Sequence, residues 1–258
     1  MTHSERISNL DYICRYLLDE HPQYRGTAIP ESLEDKQRLM RSLLNIRPPE
    51  PVSDDFLKGQ DFELQAQLAE KGVVELEGIG LKEWQGDITR LKVDTIVNAA
   101  NSQMLGCFLP LHRCIDNAIH SAAGVQLRLA CADMMQGGEE PTGSARITPG
   151  FNLPARYVLH TVGPIVPTGR PLPTQEVQLA SCYRSCLNLA SERGLESVAF
   201  CCISTGEFRF PNDLACRIAV STVRSWLAAH PASTVKTIVF NTFKDIDHEL
   251  YTNALAEG

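Results

Sequence analysis

From about residue 73 onward, short apolar runs alternate with helical stretches. The extended runs are residues 73–77, 93–98, 145–148, 157–162, 197–203 and 235–241, and the helical stretches are 114–135, 174–193, 212–230 and 245–256. Alternation of this kind builds a layered α/β sheet, and ligand sites of such sheets form at the carboxyl ends of the strands. The runs at 198–203 and 238–240 are continuously apolar, which is typical of strands covered on both faces. The sequence therefore predicts an α/β domain over residues 73–258.

Residues 1–72 have a different, helical pattern. Apolar residues recur there at three- and four-residue spacing, which is the period of an amphipathic helix. A second helix is expected over residues 30–47 and must end before the prolines at 48, 49 and 51. A third is expected to begin after Ser53, an N-cap candidate, and to end near Gly72. We find no recognisable chemistry here, so residues 1–72 are predicted to be a helical extension packed on the main domain.

Charge and composition exclude several classes of protein. The formal net charge is −7, from 24 Lys and Arg against 31 Asp and Glu, which disfavours a nucleic-acid partner. Apolar runs fall short of the roughly 18–20 residues that a membrane helix needs, and residues 1–6 do not resemble a secretory signal. We therefore expect a cytoplasmic protein without membrane contact, whose nine cysteines do not form a disulfide framework.

Polar residues gather in two runs that are expected near the ends of strands. The run QGDIT spans residues 85–89 and contains Asp87, and the run VNAAN spans 97–101 and contains Asn98 and Asn101. Asn and Asp are depleted from strand interiors and often make turns through their own side chains. Taken alone, these runs fit turn chemistry and a polar binding site equally well.

A third loop joins the most apolar strand to a helix. It reads ISTGEFRFP over residues 203–211, and its small residues would let backbone amides approach an anion beside the following helix N-terminus. Phe208 and Phe210 offer flat faces for a sugar or base. The loop lacks the lysine of a P-loop, so hydrolysis of nucleoside triphosphates is not indicated. A diphosphate cradle is the sharper interpretation, and a plain strand–helix turn is the alternative.

Two thiols and an imidazole lie close together before the helix expected at 114. Cys107, His112 and Cys114 could supply three protein ligands to Zn2+ and leave one position open, as catalytic zinc sites do. The spacing differs from a Cys-x2-Cys knuckle, so chance clustering in a cysteine-rich chain is the alternative. His120 lies one helical turn beyond Asp116 and is predicted to be a packed helix residue rather than a fourth ligand.

In this order and spacing the loops resemble those of MacroD-type macrodomains. The resemblance covers residues 73–258 and includes the runs QGDIT, VNAAN, YVLHTVGP at 157–164, and ISTG with Phe210 and Pro211. It implies a three-layer α/β/α fold with a mixed central sheet. The segment 107–114 replaces the glycine-rich run of those enzymes and resembles the zinc-containing microbial subclass, which also carries an N-terminal helical extension.

The resemblance also implies roles for individual residues. Asp87 would accept a hydrogen bond from the adenine amino group with Ile88 alongside, and Asn98 would belong to the ligand site. The diphosphate would meet the backbone amides of Ser204, Thr205, Gly206 and Glu207. Phe210 would pack near the distal ribose with Phe208 in the same loop. Asn101 would hold a distal ribose hydroxyl and Asp116 would orient or deprotonate water, with Zn2+ on Cys107, His112 and Cys114. Near a helix N-terminus, Asp116 is expected to stay ionised.

The activity that these features favour is zinc-assisted hydrolysis of mono-ADP-ribose from protein Asp or Glu side chains. The alternatives are a reader that binds ADP-ribose without catalysis and an O-acetyl-ADP-ribose deacetylase using the same site. Zinc-activated water and zinc as a substrate anchor both stay open. By resemblance alone, the partners would be a sirtuin-type ADP-ribosyltransferase and a lipoyl-carrier protein.

Overall fold

Six strands form a single mixed sheet in this computed structural model, which describes residues 2–257. They are β1 Gly80–Gln85, β2 Thr95–Ala100, β3 Ala145–Pro149, β4 Tyr157–Val162, β5 Ser197–Phe200 and β6 Thr237–Thr242. Their order across the sheet is β1-β6-β5-β2-β4-β3. Only β3 runs antiparallel to its neighbour, so the other five strands end at the same edge.

Helices cover both faces of this sheet. They are α1 His3–Asp19, α2 Leu33–Ile46, α3 Asp54–Lys71, α4 Ile115–Ala123, α5 Val125–Met135, α6 Pro173–Glu192, α7 Asn212–Ala229 and α8 Asp245–Ala256. Helices α6, α7 and α8 pack side by side, whereas α4 and α5 contact β2 and β3 and form the other outer layer. The predicted three-layer α/β/α fold with a mixed sheet is confirmed. Within residues 2–257, none of the helices combines the length and the hydropathy that crossing a membrane requires.

The N-terminal helices α1, α2 and α3 are present as predicted and have a core of their own. It is built from Leu10, Ile13, Met40 and Phe56 among others, and Val125 of α5 is buried in the same cluster. Ser53 caps α3 as expected, since its hydroxyl accepts the Phe56 N–H at 3.2 Å. The extension therefore packs directly on α5.

The predicted strand over residues 73–77 is wrong. There, Val74 makes only an isolated bridge with Leu91, and the strand that adds to the sheet is β1, paired with β6 from Gly80↔Thr237 to Gln85↔Thr242. β1 lies at the edge of the sheet, where none of its residues is fully buried and polar residues such as Lys82 are tolerated. Its apolar pattern is consequently too weak to stand out in the sequence.

The helix predicted over residues 114–135 is in fact two helices, and β5 ends at Phe200, before the predicted residue 203. The break falls at Gly124, whose φ of 93° is unfavourable for residues with a side chain. A Cβ at Gly124 would also lie 2.5 Å from the Gln60 side chain, which accepts the Val125 N–H at 2.9 Å. Contact with the extension therefore decides where α4 ends and α5 begins.

Candidate active site

The predicted site loops converge on one edge of the sheet. Because β1, β2, β4, β5 and β6 are parallel, the segments that follow them leave the sheet on the same side. The segments after β1, β2 and β5 contain the candidate residues taken from the sequence, except Asn98, which lies within β2. The fold therefore brings together loops that are more than 100 residues apart in the chain.

The sequence-predicted metal ligands cluster within the segment 106–114, which we call the metal loop. One ligand atom each from Cys107, His112 and Cys114 lies within 4.8 Å of the others, and the Cys107 Sγ is 3.4 Å from the His112 Nδ1. The Cys114 Sγ also accepts the Asn117 N–H at 3.4 Å and so caps α4. Two thiols and one imidazole at this separation fit a three-ligand zinc site.

The metal loop touches the loop that follows β5. The His112 Nε2 lies 3.6 Å from the Glu207 carboxylate, while the other ring nitrogen of His112 faces Cys107. Residues 203–208, which we call the anion loop, thus lie against the metal loop. The candidate metal ligands and the candidate diphosphate cradle form one continuous site.

The anion loop presents backbone amides that have no partner within residues 2–257. The Thr205 N–H bonds to the Cys202 carbonyl, but those of Gly206, Glu207 and Phe208 donate to no acceptor in that part of the chain. Consecutive free N–H groups shortly before a helix N-terminus are donors that an anion can accept from. Of the amides that the resemblance implies for the diphosphate, those of Gly206 and Glu207 are therefore available, whereas that of Thr205 is engaged within the chain. Contact of this loop with a diphosphate stays a prediction.

Close packing at Gly163 fixes the shape of the anion loop. Ser204 is buried and adopts a φ of 66°, which is uncommon for a residue with a side chain. A Cβ at Gly163 would lie 2.1 Å from the Ser204 Oγ. The glycine after β4 is consequently what allows Ser204 to hold this conformation.

A buried hydrogen-bonded chain holds Asp116, which lies in the first turn of α4. The Asn98 Nδ2 donates to an Asp116 carboxylate oxygen at 2.8 Å and to the His160 Nδ1 at 3.2 Å. Because His160 Nδ1 accepts, its proton is on Nε2, which donates to the Thr148 hydroxyl at 2.9 Å. Sequence reasoning did not single out His160 or Thr148 as site residues, although His160 belongs to the YVLHTVGP run.

Burial raises the pKa of Asp116 above that of an ordinary aspartate. The residue is only 5% exposed, and burial raises its pKa to about 6, opposed by the hydrogen bond from Asn98. A carboxyl group with this pKa is still mostly ionised at pH 7, which agrees with the expected charge, and it becomes protonated below about pH 6. His120 is a packed, buried residue as predicted, and its Nε2 lies 3.5 Å from the Asp116 carboxylate.

Asp87 follows β1, the strand at one end of the sheet. One of its oxygens accepts the Thr89 N–H at 3.0 Å and the Thr89 hydroxyl at 2.6 Å, and the other lies 3.5 Å from the Lys71 Nζ. Ile88 beside it is buried. The contacts of Asp87 and Ile88 with adenine stay predictions.

The remaining candidate residues make contacts within the protein. The Asn101 side chain donates to the Gly106 carbonyl at 3.1 Å and accepts the Gln103 N–H at 3.1 Å, so it fixes the entry to the metal loop. Phe208 is half-buried, whereas Phe210 is 1% exposed and packs in the main core. Asn98 is fully buried, and its amide is engaged by Asp116 and His160. Direct ligand contacts of these residues stay predictions.

Comparison with known proteins agrees with this arrangement. The family model Macro domain matches residues 97–219. A "Protein-ADP-ribose hydrolase" of Treponema medium is 50% identical over 256 residues, covering 95% of this chain and 97% of its own. One of Staphylococcus aureus with the same name is 47% identical over 258 residues, covering 96% and 95%. The chain belongs to the Macro domain family.

Solved structures show the same fold. A macrodomain of Oceanobacillus iheyensis with ADP has a TM-score of 0.62 and 38% identity, covering 70% of this chain and 94% of its own. A Trypanosoma brucei macrodomain in complex with ADP-ribose has a TM-score of 0.59 and 30% identity, covering 95% of this chain and 86% of its own. The macrodomain fold expected from the sequence is thereby confirmed.

Proposed function

We propose that this protein is a zinc-assisted hydrolase that removes mono-ADP-ribose from protein side chains. The single observation that carries the proposal is His112, which lies between the Cys107 thiol and the Glu207 carboxylate. Through it, a trio of metal-binding side chains adjoins a row of free backbone amides suited to a diphosphate. The names of the Treponema and Staphylococcus relatives, which cover at least 95% of this chain, support the hydrolase assignment.

Each part of the site has a task in this proposal. The amides of Gly206, Glu207 and Phe208 hold the diphosphate, because directed N–H groups at short range outweigh a screened net charge of −7. Asp87 binds the adenine amino group at the other end of the edge. Asn101 holds the distal ribose, which places the scissile bond near the start of α4.

Asp116 orients the attacking water and accepts its proton. The hydrogen bond from Asn98 fixes one carboxylate oxygen, which leaves the second free to face the water. One water then splits the ester that joins ADP-ribose to an Asp or Glu side chain, giving free ADP-ribose and the free carboxyl group. Fixing the water and the carboxylate beforehand lowers the entropic part of the barrier.

Cys107, His112 and Cys114 would hold zinc, for which two soft thiols and one imidazole are an appropriate donor set. When bound, zinc supplies a Lewis acid that polarises a substrate oxygen or lowers the pKa of a bound water. Binding of ADP-ribose alone does not require two thiols and an imidazole beside the ligand. We therefore favour catalysis over a non-catalytic reader.

The proposed partners are a sirtuin-type ADP-ribosyltransferase and, as its modified product, a lipoyl-carrier protein. A relative in Fusarium oxysporum supports an ADP-ribosyltransferase partner, although its name does not specify the sirtuin type. Its name is "Probable bifunctional ADP-ribose hydrolase/ADP-ribosyltransferase", and this chain matches it with 44% identity over 246 residues, 41% of that protein. That protein's name combines a hydrolase and a transferase, and one region of it is similar to this chain. This combination supports the proposal that the two activities act on a shared substrate.

The test is release of ADP-ribose from a protein mono-ADP-ribosylated on carboxylates. We expect release by the zinc-loaded protein, loss of release after chelation, and recovery when zinc is restored. Release that is unaffected by chelation would overturn the zinc assignment alone. Binding of ADP-ribose by calorimetry without any release by the zinc-loaded protein would instead identify a reader and overturn the hydrolase.

A further inference from the structure

We infer that helix α2 of the N-terminal extension is part of the metal site, with Asn45 and Arg41 as positioning residues for His112. The inference rests on the proposed zinc function and deepens it. Two side chains of α2 hydrogen-bond to the backbone of consecutive residues in the metal loop, namely to the Leu111 N–H and the His112 carbonyl. The extension thus has a task beyond covering the macrodomain.

The first contact is made by Asn45, near the end of α2. Its Oδ1 accepts the Leu111 N–H at 2.9 Å, and its Nδ2 donates to the Ser121 hydroxyl of α4 at 3.0 Å. Asn45 is 1% exposed, so water does not compete for its carboxamide. The carboxamide consequently bridges α4 and the residue that immediately precedes His112.

Leu111 needs such support because its backbone is strained. Its φ is 55°, a left-handed conformation that costs free energy for a residue with a Cβ. A conformation of this kind persists when surrounding contacts hold it. The hydrogen bond that Leu111 donates to Asn45 is therefore placed where the loop would otherwise relax and carry His112 away from the two thiols.

The second contact is made by Arg41, one helical turn before Asn45. Its Nη2 donates to the His112 carbonyl at 3.3 Å and to the Asn117 Oδ1 at 2.9 Å. The Asn117 amide in turn donates to the Leu109 carbonyl at 3.0 Å. The backbone of the metal loop is therefore held on both sides of Leu111 by a network that begins on α2.

The arm of the loop before Cys107 is tied to the same helix end. Arg128 of α5 donates to the Leu44 carbonyl of α2 at 2.9 Å and to the Leu105 carbonyl at 2.7 Å. Its guanidinium also lies 4.4 Å from the centre of the Phe108 ring. The segments before Cys107 and around His112 are thus both hydrogen-bonded to groups at or near the end of α2, and this fixes the distance between them.

This arrangement makes a prediction about metal affinity. Ligands held in place before binding lose little conformational entropy when a metal arrives, and partners that orient ligands contribute strongly to affinity. Removing either α2 contact should therefore weaken zinc binding even though no ligand is changed. It should also loosen residues 107–114 in the metal-free protein, because the contacts do not involve the metal.

The experiment compares Asn45→Ala and Arg41→Met with Gln60→Ala in the full-length chain. Gln60 is the matched control, because it is a fully buried amide of the extension that also accepts a macrodomain N–H, that of Val125, away from the metal loop. Zinc affinity is measured by competition with a chromophoric chelator, and the ligand geometry by the visible spectrum of the cobalt(II) form. Amide hydrogen exchange of residues 107–114 is measured on metal-free protein.

We expect both α2 variants to bind zinc about tenfold to a hundredfold more weakly, with an altered cobalt spectrum and faster exchange in the loop, whereas Gln60→Ala changes none of these. Unchanged zinc affinity in both variants, or an equal loss in the control, would overturn the inference. If the wild-type chain holds no zinc, the zinc part of the proposed function fails. Loop exchange that is also unchanged in both variants would then overturn the positioning role as well.

Discussion

The Nδ2 of Asn98 lies 2.8 Å from a carboxylate oxygen of Asp116, and both side chains are buried beneath the candidate site. Asn98 is on β2 and Asp116 on α4, so this hydrogen bond joins the sheet to the helix that follows the metal loop. The same amide nitrogen reaches the His160 Nδ1 on β4. The position of the carboxylate is therefore set by two strands as well as by its own helix.

Replacing Asn98 with Ala should reduce both stability and activity. The substitution leaves Asp116 without its buried donor, which should lower the free energy of unfolding by about 1–3 kcal/mol. Urea unfolding and the rate of ADP-ribose release measure the two effects. Asn188→Ala is the control, because Asn188 accepts the Trp226 Nε1–H at 2.6 Å between α6 and α7. The Asn188→Ala variant should be less stable but have an unchanged kcat. A fall in kcat equal to that of Asn98→Ala would contradict a specific role for Asn98.

Replacing Cys114 with Ser should remove zinc while preserving the fold. Serine keeps an N-cap acceptor for the Asn117 N–H, so α4 should stay capped. A hydroxyl is a far poorer zinc ligand than a thiolate. We therefore expect substoichiometric zinc by elemental analysis and strongly reduced ADP-ribose release, at a Tm close to that of the metal-free wild type. Cys216→Ser, at a buried cysteine outside the trio, should retain full zinc; if it also loses the metal, the trio is not the site.

Replacing Gly163 with Ala should displace the anion loop. The new methyl group would lie 2.1 Å from the Ser204 Oγ, so the loop must move. Overpacking of this kind costs about 1–3 kcal/mol in stability. We expect weaker ADP-ribose binding by calorimetry together with a lower Tm. Gly194→Ala introduces strain at a φ of 67° with no neighbouring atom within 4 Å and should leave ADP-ribose affinity unchanged; wild-type affinity in Gly163→Ala would refute the role of this close approach.

Stability should depend on pH through His160. Burial lowers its pKa to about 3, whereas in the unfolded chain it lies near 6.5. Below pH 6.5 His160 is therefore protonated in the unfolded state but not in the folded state. The contribution of His160 to the free energy of unfolding is complete above pH 6.5 and declines as the pH falls toward 3. A single histidine accounts for about 1.4 kcal/mol between pH 7.5 and 5.5.

The variant His160→Gln isolates this effect from the neighbouring groups. Asp116 acts in the opposite direction, because its raised pKa favours the folded state as pH falls from about 6 toward 3.8, and His120, with a lowered pKa, acts in the same direction as His160. Urea unfolding of both proteins at pH 7.5 and 5.5 gives the difference. We expect the wild type to lose about 1.4 kcal/mol more than the variant over this range. Equal losses would show that His160 does not titrate as a buried neutral group.

The elements that sequence could predict are those with a clear local signal. The core strands β2, β4 and β6 carry apolar runs, α2 carries an amphipathic pattern that ends before prolines, and α3 is marked by its N-cap Ser53 and by Gly72 at its end. The edge strand β1 escaped prediction because none of its residues is fully buried, so it leaves no apolar signature. The break at Gly124 escaped it as well, because the reason for it, Gln60, is far away in the chain.

Within the candidate site, the sequence by itself determines which donor groups lie close together along the chain. Cys107, His112 and Cys114 lie in one short loop, and the small residues of the anion loop are consecutive, so their donor types could be predicted from the sequence. Only the tertiary structure decides that Asp116 is desolvated, that His160 supports it through Asn98, and that Asn45 holds Leu111 from 66 residues away. The physical reason is that burial and hydrogen-bond partners depend on neighbours in space. Residue types and local spacing do not specify those neighbours.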